Sequence, residues 1–414
     1  MSELIFAAQQ GRKIPKEDKN FAVNNRAKAM IAEKGKDAVA NATIGVLLDE
    51  EGKMVVLSSV NEVFQSLTPL DFAEYAPIGG TPAYKEAVIK DAFGSYTPKR
   101  YVRTVATPGG TGAIHSTIAN YSEPGDKVLL TDWYWGPYGT IAGEIGRSLH
   151  TFKLVDENGA FNTADFSKQV ETLLETQDRL VIILNTPAHN PTGYSMTMED
   201  WEGVASALDQ IPEDKNVTLL VDVAYMDFAG DGEKYREFMP VLDSMGENVL
   251  VVLAYSFSKS YTMYGLRCGA MICMADSDEV AEEFRKVSEY SARAAWSNCT
   301  RAPQMMLAKI YSDPALLARV QEERAGFRDM LLRRGRAFEA AAKEVGLEIV
   351  PFDAGFFASV PCENPDEVGA ELEKEGIFTI PLTKGIRISI ASIPADVCSR
   401  LPERILAAIK TVNK

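Results

Sequence analysis

The sequence predicts an α/β fold: a largely parallel sheet flanked by helices, with a smaller α+β unit attached. Three observations carry this expectation. Continuous apolar runs alternate with helical patterns between residues 100 and 275, and unbroken apolar strands suit a sheet covered on both faces. From about 278 to 345 the pattern turns helical and highly charged, and beyond it short strand-like segments return. At 414 residues the chain is long enough for two domains and a large core.

The expected strands follow in order. Lys127–Thr131, residues 180–185, residues 218–222 and residues 248–253 are the continuous apolar runs, and residues 270–274 are a candidate for one more. In the helical region Pro303 and Pro314 read as interruptions. Residues 348–351, 355–360 and 385–390 read as strands of the smaller unit. No internal repeat and no low-complexity linker separates the parts, so the two domains are expected to interleave. Residues 55–315 are assigned to the large domain, and residues 1–54 join 316–414 in the small one.

Composition excludes several classes of function. Hydrophobic residues make up 46% and charged residues 24%, an ordinary soluble balance. A formal net charge of -15 argues against a nucleic-acid or anionic-membrane partner, because both need a basic surface. The five cysteines are dispersed without metal-ligand spacing, which fits reduced thiols in a cytoplasm and no metal centre. The first residues lack a basic region followed by a long apolar segment, and no run approaches a membrane span. A soluble cytoplasmic protein is the expectation.

Candidate chemistry gathers at the C-terminal ends of the strands, where open parallel sheets bind ligands. Tyr255-Ser-Phe-Ser-Lys259-Ser260 follows an apolar run, with Tyr264, Arg267 and Gly269 close behind. A lysine at the end of a buried strand is poorly solvated, which lowers its pKa and makes its amine nucleophilic. Hydroxyls and an arginine nearby suit a phosphate. The pattern suggests a Schiff-base lysine holding pyridoxal phosphate; a surface lysine after a strand would look the same in isolation. Thr107-Pro-Gly-Gly-Thr-Gly-Ala113 leads into a helical pattern and offers free N–H groups to a phosphate, or is only a tight turn.

Asn185-Thr-Pro-Ala-His-Asn-Pro-Thr-Gly193 follows a strand, and Asn190 there is a side-chain donor for an oxygen on a cofactor ring, unless the loop is merely proline-stiffened. Asp222 ends an apolar strand and is costly to bury unless something cationic meets it, such as a protonated ring nitrogen. Tyr225 is placed to reach the adjacent ring oxygen, and a hydrogen-bonded strand-end aspartate is the alternative. Trp133, in Asp132-Trp-Tyr-Trp-Gly136, is a candidate to stack on a planar ring, or packs in the core.

With these residues the chain resembles the fold-type I pyridoxal-phosphate enzymes, in particular the class I aspartate and aromatic amino-acid aminotransferases, over nearly its whole length. The resemblance implies a large domain built around a mostly parallel seven-stranded sheet. It makes Lys259 the Schiff-base lysine and proton shuttle, with Ser256 and Arg267 on the phosphate. Gly109, Gly110 and Thr111 match the phosphate turn, and Tyr75 a tyrosine that reaches the phosphate across a dimer interface. Asp222, Tyr225, Asn190 and Trp133 match the partners of the ring nitrogen, the ring oxygen and the ring face. Arg387, in Lys384-Gly-Ile-Arg-Ile-Ser389, resembles the arginine for the α-carboxylate. Arg293 matches the residue that binds a distal carboxylate from the neighbouring subunit, and Gly45 and Phe357 resemble pocket-lining positions.

Two departures stand out: Cys299-Thr300 replaces a common pair of prolines, and after Trp133 the chain runs Tyr-Trp-Gly-Pro-Tyr without the usual asparagine and histidine. The second leaves open what supports Asp222, and Trp135 or Tyr138 is expected to reshape the pocket. The implied activity is transamination of acidic or aromatic L-amino acids with a 2-oxo acid by a homodimer with shared active sites. A C–S β-lyase, an amino-acid decarboxylase and, further off, a non-catalytic pyridoxal-binding regulatory module are the alternatives.

Overall fold

The fold was obtained as a computed structural model, which describes residues 4–8, 11–14, 19–230 and 233–413. Its strands, in chain order, are β1 (Ala40–Asn41), β2 (Tyr101–Thr107), β3 (Lys127–Thr131), β4 (Ser148–Phe152), β5 (Arg179–Asn185) and β6 (Asn216–Asp222). They continue with β7 (Val249–Ser256), β8 (Gly269–Ala275), β9 (Phe357–Pro361), β10 (Ile377–Phe378), β11 (Ile380–Pro381) and β12 (Gly385–Ser389). The central sheet has seven strands in the order β2-β8-β7-β6-β5-β3-β4. Every pairing from β7 to β4 is parallel, and β8 runs antiparallel to both its neighbours.

The apolar runs become this sheet because both of its faces are covered. Successive side chains alternate sides: Leu129, Ile182, Leu184, Leu219, Val221, Val251 and Leu253 join one buried cluster. Their sequence neighbours Leu130, Val181, Ile183, Leu220 and Val252 join another, with Ala113, Ile114 and Phe284 from the covering helices. Each such side chain contributes roughly 1.5–3 kcal/mol when fully buried. A strand of this kind therefore needs no polar face and reads as an unbroken run.

A second core sits under β9 and β12, formed by Phe338, Val360, Ile386, Ile388, Leu401 and Ile405 among others. The long helix Pro314–Val345 joins the two cores: Val320 and Leu331 belong to the first, Phe338 and Ala342 to the second. The N-terminal helix Lys19–Lys34 packs Val23 and Ala27 against Phe378 and Ile380. Further along the N-terminal segment, β1 pairs parallel with β10.

Three readings of the sequence are corrected here. Residues 348–351 form no strand. Val350 makes one backbone bond to the Ser359 carbonyl at 2.9 Å, but Pro351 has no N–H with which to continue a ladder. Pro303 does not interrupt a helix but occupies the first turn of Arg301–Ser312, where its missing N–H costs nothing. The break falls instead at Asp313, whose carboxylate caps the next helix at Ala315 and Leu316. Strands β2 and β4 carry charged or polar residues along much of their length and so show no unbroken apolar run.

Candidate active site

The C-terminal ends of β5, β6 and β7 and the N-terminus of the helix Gly109–Tyr121 open onto one cavity, with about 480 Å³ of empty space. Asn185, Asp222 and Ser256, the last residues of three adjacent strands, stand side by side on its wall.

Lys259 lies in a single helical turn, Phe257–Ser260, that begins as β7 ends. Ser256 starts that turn by accepting the Ser258 N–H at 3.3 Å. The lysine is half-buried, with its Nζ 5.4 Å from the centre of the Tyr225 ring and 5.8 Å from that of Tyr264. Burial pulls its amine down to about 8, against the upward pull of the Asp222 carboxylate, and Arg267 adds to the lowering. About one Lys259 in ten is then an unprotonated nucleophile at pH 7, far more than for an ordinary lysine.

Asp222 is buried, and desolvation pushes its carboxyl upward. Two donors oppose this: the Tyr138 hydroxyl bonds Oδ2 at 2.6 Å, and the Ala224 N–H bonds Oδ1 at 3.2 Å. No cation lies within ion-pair distance of Asp222 among the described residues. Asn185 supports the same strand end, its Nδ2 donating to the Asp222 carbonyl at 2.8 Å while its Oδ1 accepts the Asn190 N–H at 2.6 Å. Asn190 in turn donates to the Tyr225 hydroxyl at 3.4 Å.

At the other end of the cavity Gly110 and Thr111 present the first turn of their helix beside Ser256, Ser258 and Arg267. Gly109 has φ +77, and a Cβ there would lie 2.7 Å from Arg267 Nη2, so glycine lets the guanidinium close in. Arg267 donates to Ser258 Oγ at 3.2 Å and to the Tyr264 carbonyl at 2.9 Å. Both partners are neutral, which leaves the guanidinium in want of an anion.

Arg387, on β12, lies beside the cavity and not on its wall. It is buried, donates to the Thr43 carbonyl at 2.8 Å and to Asn190 Oδ1 at 3.4 Å, and lies 4.3 Å over the Phe357 ring. Its Nε has no partner, and burial pulls the guanidinium down to about 10. Gly45 belongs to the same group because a Cβ there would meet Phe357 at 2.7 Å.

Trp133 departs from the expectation. The indole on the cavity wall belongs to Trp135, while Trp133 is buried in the core with its ring tip against the start of β12 at Gly385. The two residues share a composition and differ only in how the chain turns after β3. Tyr75 and Arg293 are not brought to this cavity within the chain: Tyr75 is 87% exposed, and Arg293, also exposed, bonds Ser297.

The reading from sequence missed Trp135 as the wall residue, Asn185 as the brace of Asp222, and a polar network behind Lys259. In that network Asp91 accepts the hydroxyls of Tyr255 at 2.6 Å, Tyr261 at 2.8 Å and Tyr311 at 2.6 Å. Next to it Arg324 and Arg236 each reach Asp227 at 3.0 Å and hold its carboxyl well below the ordinary range. These groups flank both the turn that carries Lys259 and the loop that follows Asp222. Position at the end of β5 was the one signal that pointed to Asn185.

The sequence model of the family described as aminotransferase class I and II matches residues 38–405. The aspartate aminotransferase of Escherichia coli K12 is 27% identical over 89% of this chain and 93% of its own length. The mitochondrial aspartate aminotransferase of Schizosaccharomyces pombe is 27% identical over 85% of this chain and 80% of its own. Among solved structures, an aminotransferase from Anaerococcus prevotii is 38% identical, with a TM-score of 0.95 over 98% of this chain and 100% of that one. An aromatic amino acid aminotransferase from Burkholderia cenocepacia shares the fold at 22% identity, with a TM-score of 0.80 over 96% of this chain and 98% of that one.

Proposed function

Since the chain belongs to the class I and II aminotransferases and so depends on pyridoxal 5'-phosphate, we propose that it moves the amino group of an acidic or aromatic L-amino acid to a 2-oxo acid such as 2-oxoglutarate. One observation carries this reading. Among the described residues, a lysine with a lowered pKa is flanked by a buried carboxylate with no cation within ion-pair distance and by two guanidiniums with no anion in reach. Buried or confined charges of this kind are costly unless a ligand completes them. Pyridoxal phosphate offers a ring nitrogen to Asp222 and a phosphate to Arg267, and the amino acid offers its carboxylate to Arg387.

The residues present fit the cofactor. Gly110, Thr111, Ser256, Ser258 and Arg267 would hold the phosphate, Asn190 and Tyr225 the ring oxygen, and Trp135 a ring face. Bound there, the cofactor supplies an aldehyde that condenses with amines and a protonated ring that accepts electrons from the substrate's α-carbon. Asp222 keeps the ring nitrogen protonated. Lys259 would hold the cofactor, and its amine would serve as the general base that takes the substrate's α-proton. Arg387 fixes the α-carboxylate through its planar fork.

The proposal includes a homodimer in which Tyr75 and Arg293 reach the partner's cavity, Tyr75 at the phosphate and Arg293 at a distal carboxylate. Their exposure, with Phe64, Leu70 and Phe72 also exposed on the segment preceding Tyr75, supports it. A cytoplasmic location is supported by five free cysteines, four of them buried. Among the described residues no helix is long and apolar enough to cross a membrane.

The test is a donor panel with 2-oxoglutarate, followed at the cofactor's absorbance band, on the wild type and on Lys259→Ala. Aspartate, glutamate, tyrosine or phenylalanine should yield its 2-oxo acid, and Lys259→Ala should bind cofactor yet lose transamination by several orders of magnitude. Pyruvate with ammonia, or carbon dioxide, as the main product would point to a lyase or a decarboxylase. Near-normal turnover in the variant would sink the assignment.

A further inference from the structure

We infer that Tyr138 is the positioning residue that keeps Asp222 a carboxylate aimed at the cofactor's ring nitrogen. The inference rests on the reading that the cavity binds pyridoxal phosphate. Tyr138 stands in the first turn of the helix Pro137–Glu144, 1% exposed, and its Oη lies 2.6 Å from Asp222 Oδ2. The Trp135 ring, 5.3 Å away at 89°, packs against Tyr138 from the cavity side, so one short turn carries both the wall of the cavity and the support of its acid.

The chemistry of the pair gives the bond its direction. A carboxylate has no proton to donate, so the phenol is the donor and favours the ionised form of Asp222. Without it, Oδ2 would be left with no protein donor and Oδ1 with one backbone N–H at 3.2 Å. Burial would then favour the neutral acid, which has no charge to offer a ring N–H⁺. The phenol itself, pushed well above its usual range by burial and by Asp222, stays protonated at any working pH. Lys259 is the one cation that acts on Asp222 from the lysine's side of the cavity, and Tyr225 is the other titratable group near Tyr138. His189, at the end of the neighbouring loop, is held neutral by burial, at about 3, and bonds Thr192.

A hydrogen bond to a charged group changes an equilibrium by about tenfold to a hundredfold. The experiment compares cofactor-stripped wild type with Tyr138→Phe, titrating each with pyridoxal phosphate and with its 1-deaza analogue, which has a C–H in place of the ring nitrogen. Intrinsic fluorescence reports binding. Tyr138→Phe should weaken pyridoxal phosphate about tenfold or more and the analogue less than about twofold, because only the natural cofactor needs an ionised Asp222. Tyr96→Phe removes another 2.6 Å tyrosine–carboxylate bond, to Asp243, away from the cavity, and should change neither constant. Equal weakening of both ligands, or of neither, would overturn the inference. Failure of the wild type to bind either ligand would overturn the cofactor reading itself, and the inference with it. If Tyr138→Phe does not fold, Tyr138→Gln, which keeps a donor, should retain the cofactor more tightly than Tyr138→Leu; equal constants would again overturn the role of the bond.

Discussion

Replacing Lys259 with methionine should make the cofactor-free protein more stable at neutral pH. The folded protein holds this amine at about 8 against an ordinary 10.5, chiefly because burial disfavours its charge. Unfolded lysine keeps its proton up to the higher value, so the unfolded state binds more protons between the two. The cost to the folded state is complete below pH 8 and fades as pH rises towards 10.5. At roughly 1.4 kcal/mol per pH unit, that cost is about 3 kcal/mol at pH 7 and about 1 kcal/mol at pH 9.5. Lys259 faces the cavity, where water screens part of the penalty, so a gain of about 2 kcal/mol at pH 7 is the working figure. Methionine keeps an unbranched stem of similar length without the charge. Urea unfolding of both apoproteins at equal concentration, at pH 7 and pH 9.5, measures the difference. The gain should shrink by more than half between the two pH values. A variant no more stable at pH 7, or a gain that ignores pH, would refute the claim that the site stores this cost in its lysine.

Two further outcomes test the geometry. Trp135→Ala should weaken cofactor binding about tenfold with a modest change in melting temperature, while Trp133→Ala, a core truncation costing about 3–5 kcal/mol, should lower the melting temperature and leave the affinity of the folded protein near wild type; the reverse pattern would return the stacking role to Trp133. Arg387→Lys keeps a cation but loses the planar fork, so KM for the amino donor should rise about tenfold to a hundredfold; steady-state kinetics with an unchanged KM would remove Arg387 from the carboxylate site.

How far each residue could be read depended on what fixed its place. Lys259, Asp222 and Asn190 were legible because each follows an apolar run, and the end of a parallel strand is a position in space as well as in sequence. The central strands were legible for the same reason, since a run buried on both faces carries its own signature. Strands β2 and β4 were not, because they are polar along part of their length.

The choice between Trp133 and Trp135 had no local signal. Both follow β3 within four residues, and the path of the chain between β3 and the helix Pro137–Glu144 brings Trp135 to the cavity. Tyr138 and Asp222 are 84 positions apart, and Tyr311 and Asp91 are 220 apart. No periodicity reports such pairs, because a buried hydrogen bond is set by where packed elements meet.

By itself, then, the sequence determined the layered α/β architecture and the lysine and the acid at their strand ends, which follow from patterning that the chain carries locally, while Arg387 was reached through the family resemblance. Only the tertiary structure decided which tryptophan forms the wall, what keeps Asp222 ionised, and that no acid among the described residues stands beside Arg387. Those facts depend on distances between elements, and burial turns them into energy: it lowers the Lys259 amine, raises the Asp222 carboxyl and leaves Arg387 Nε without a partner.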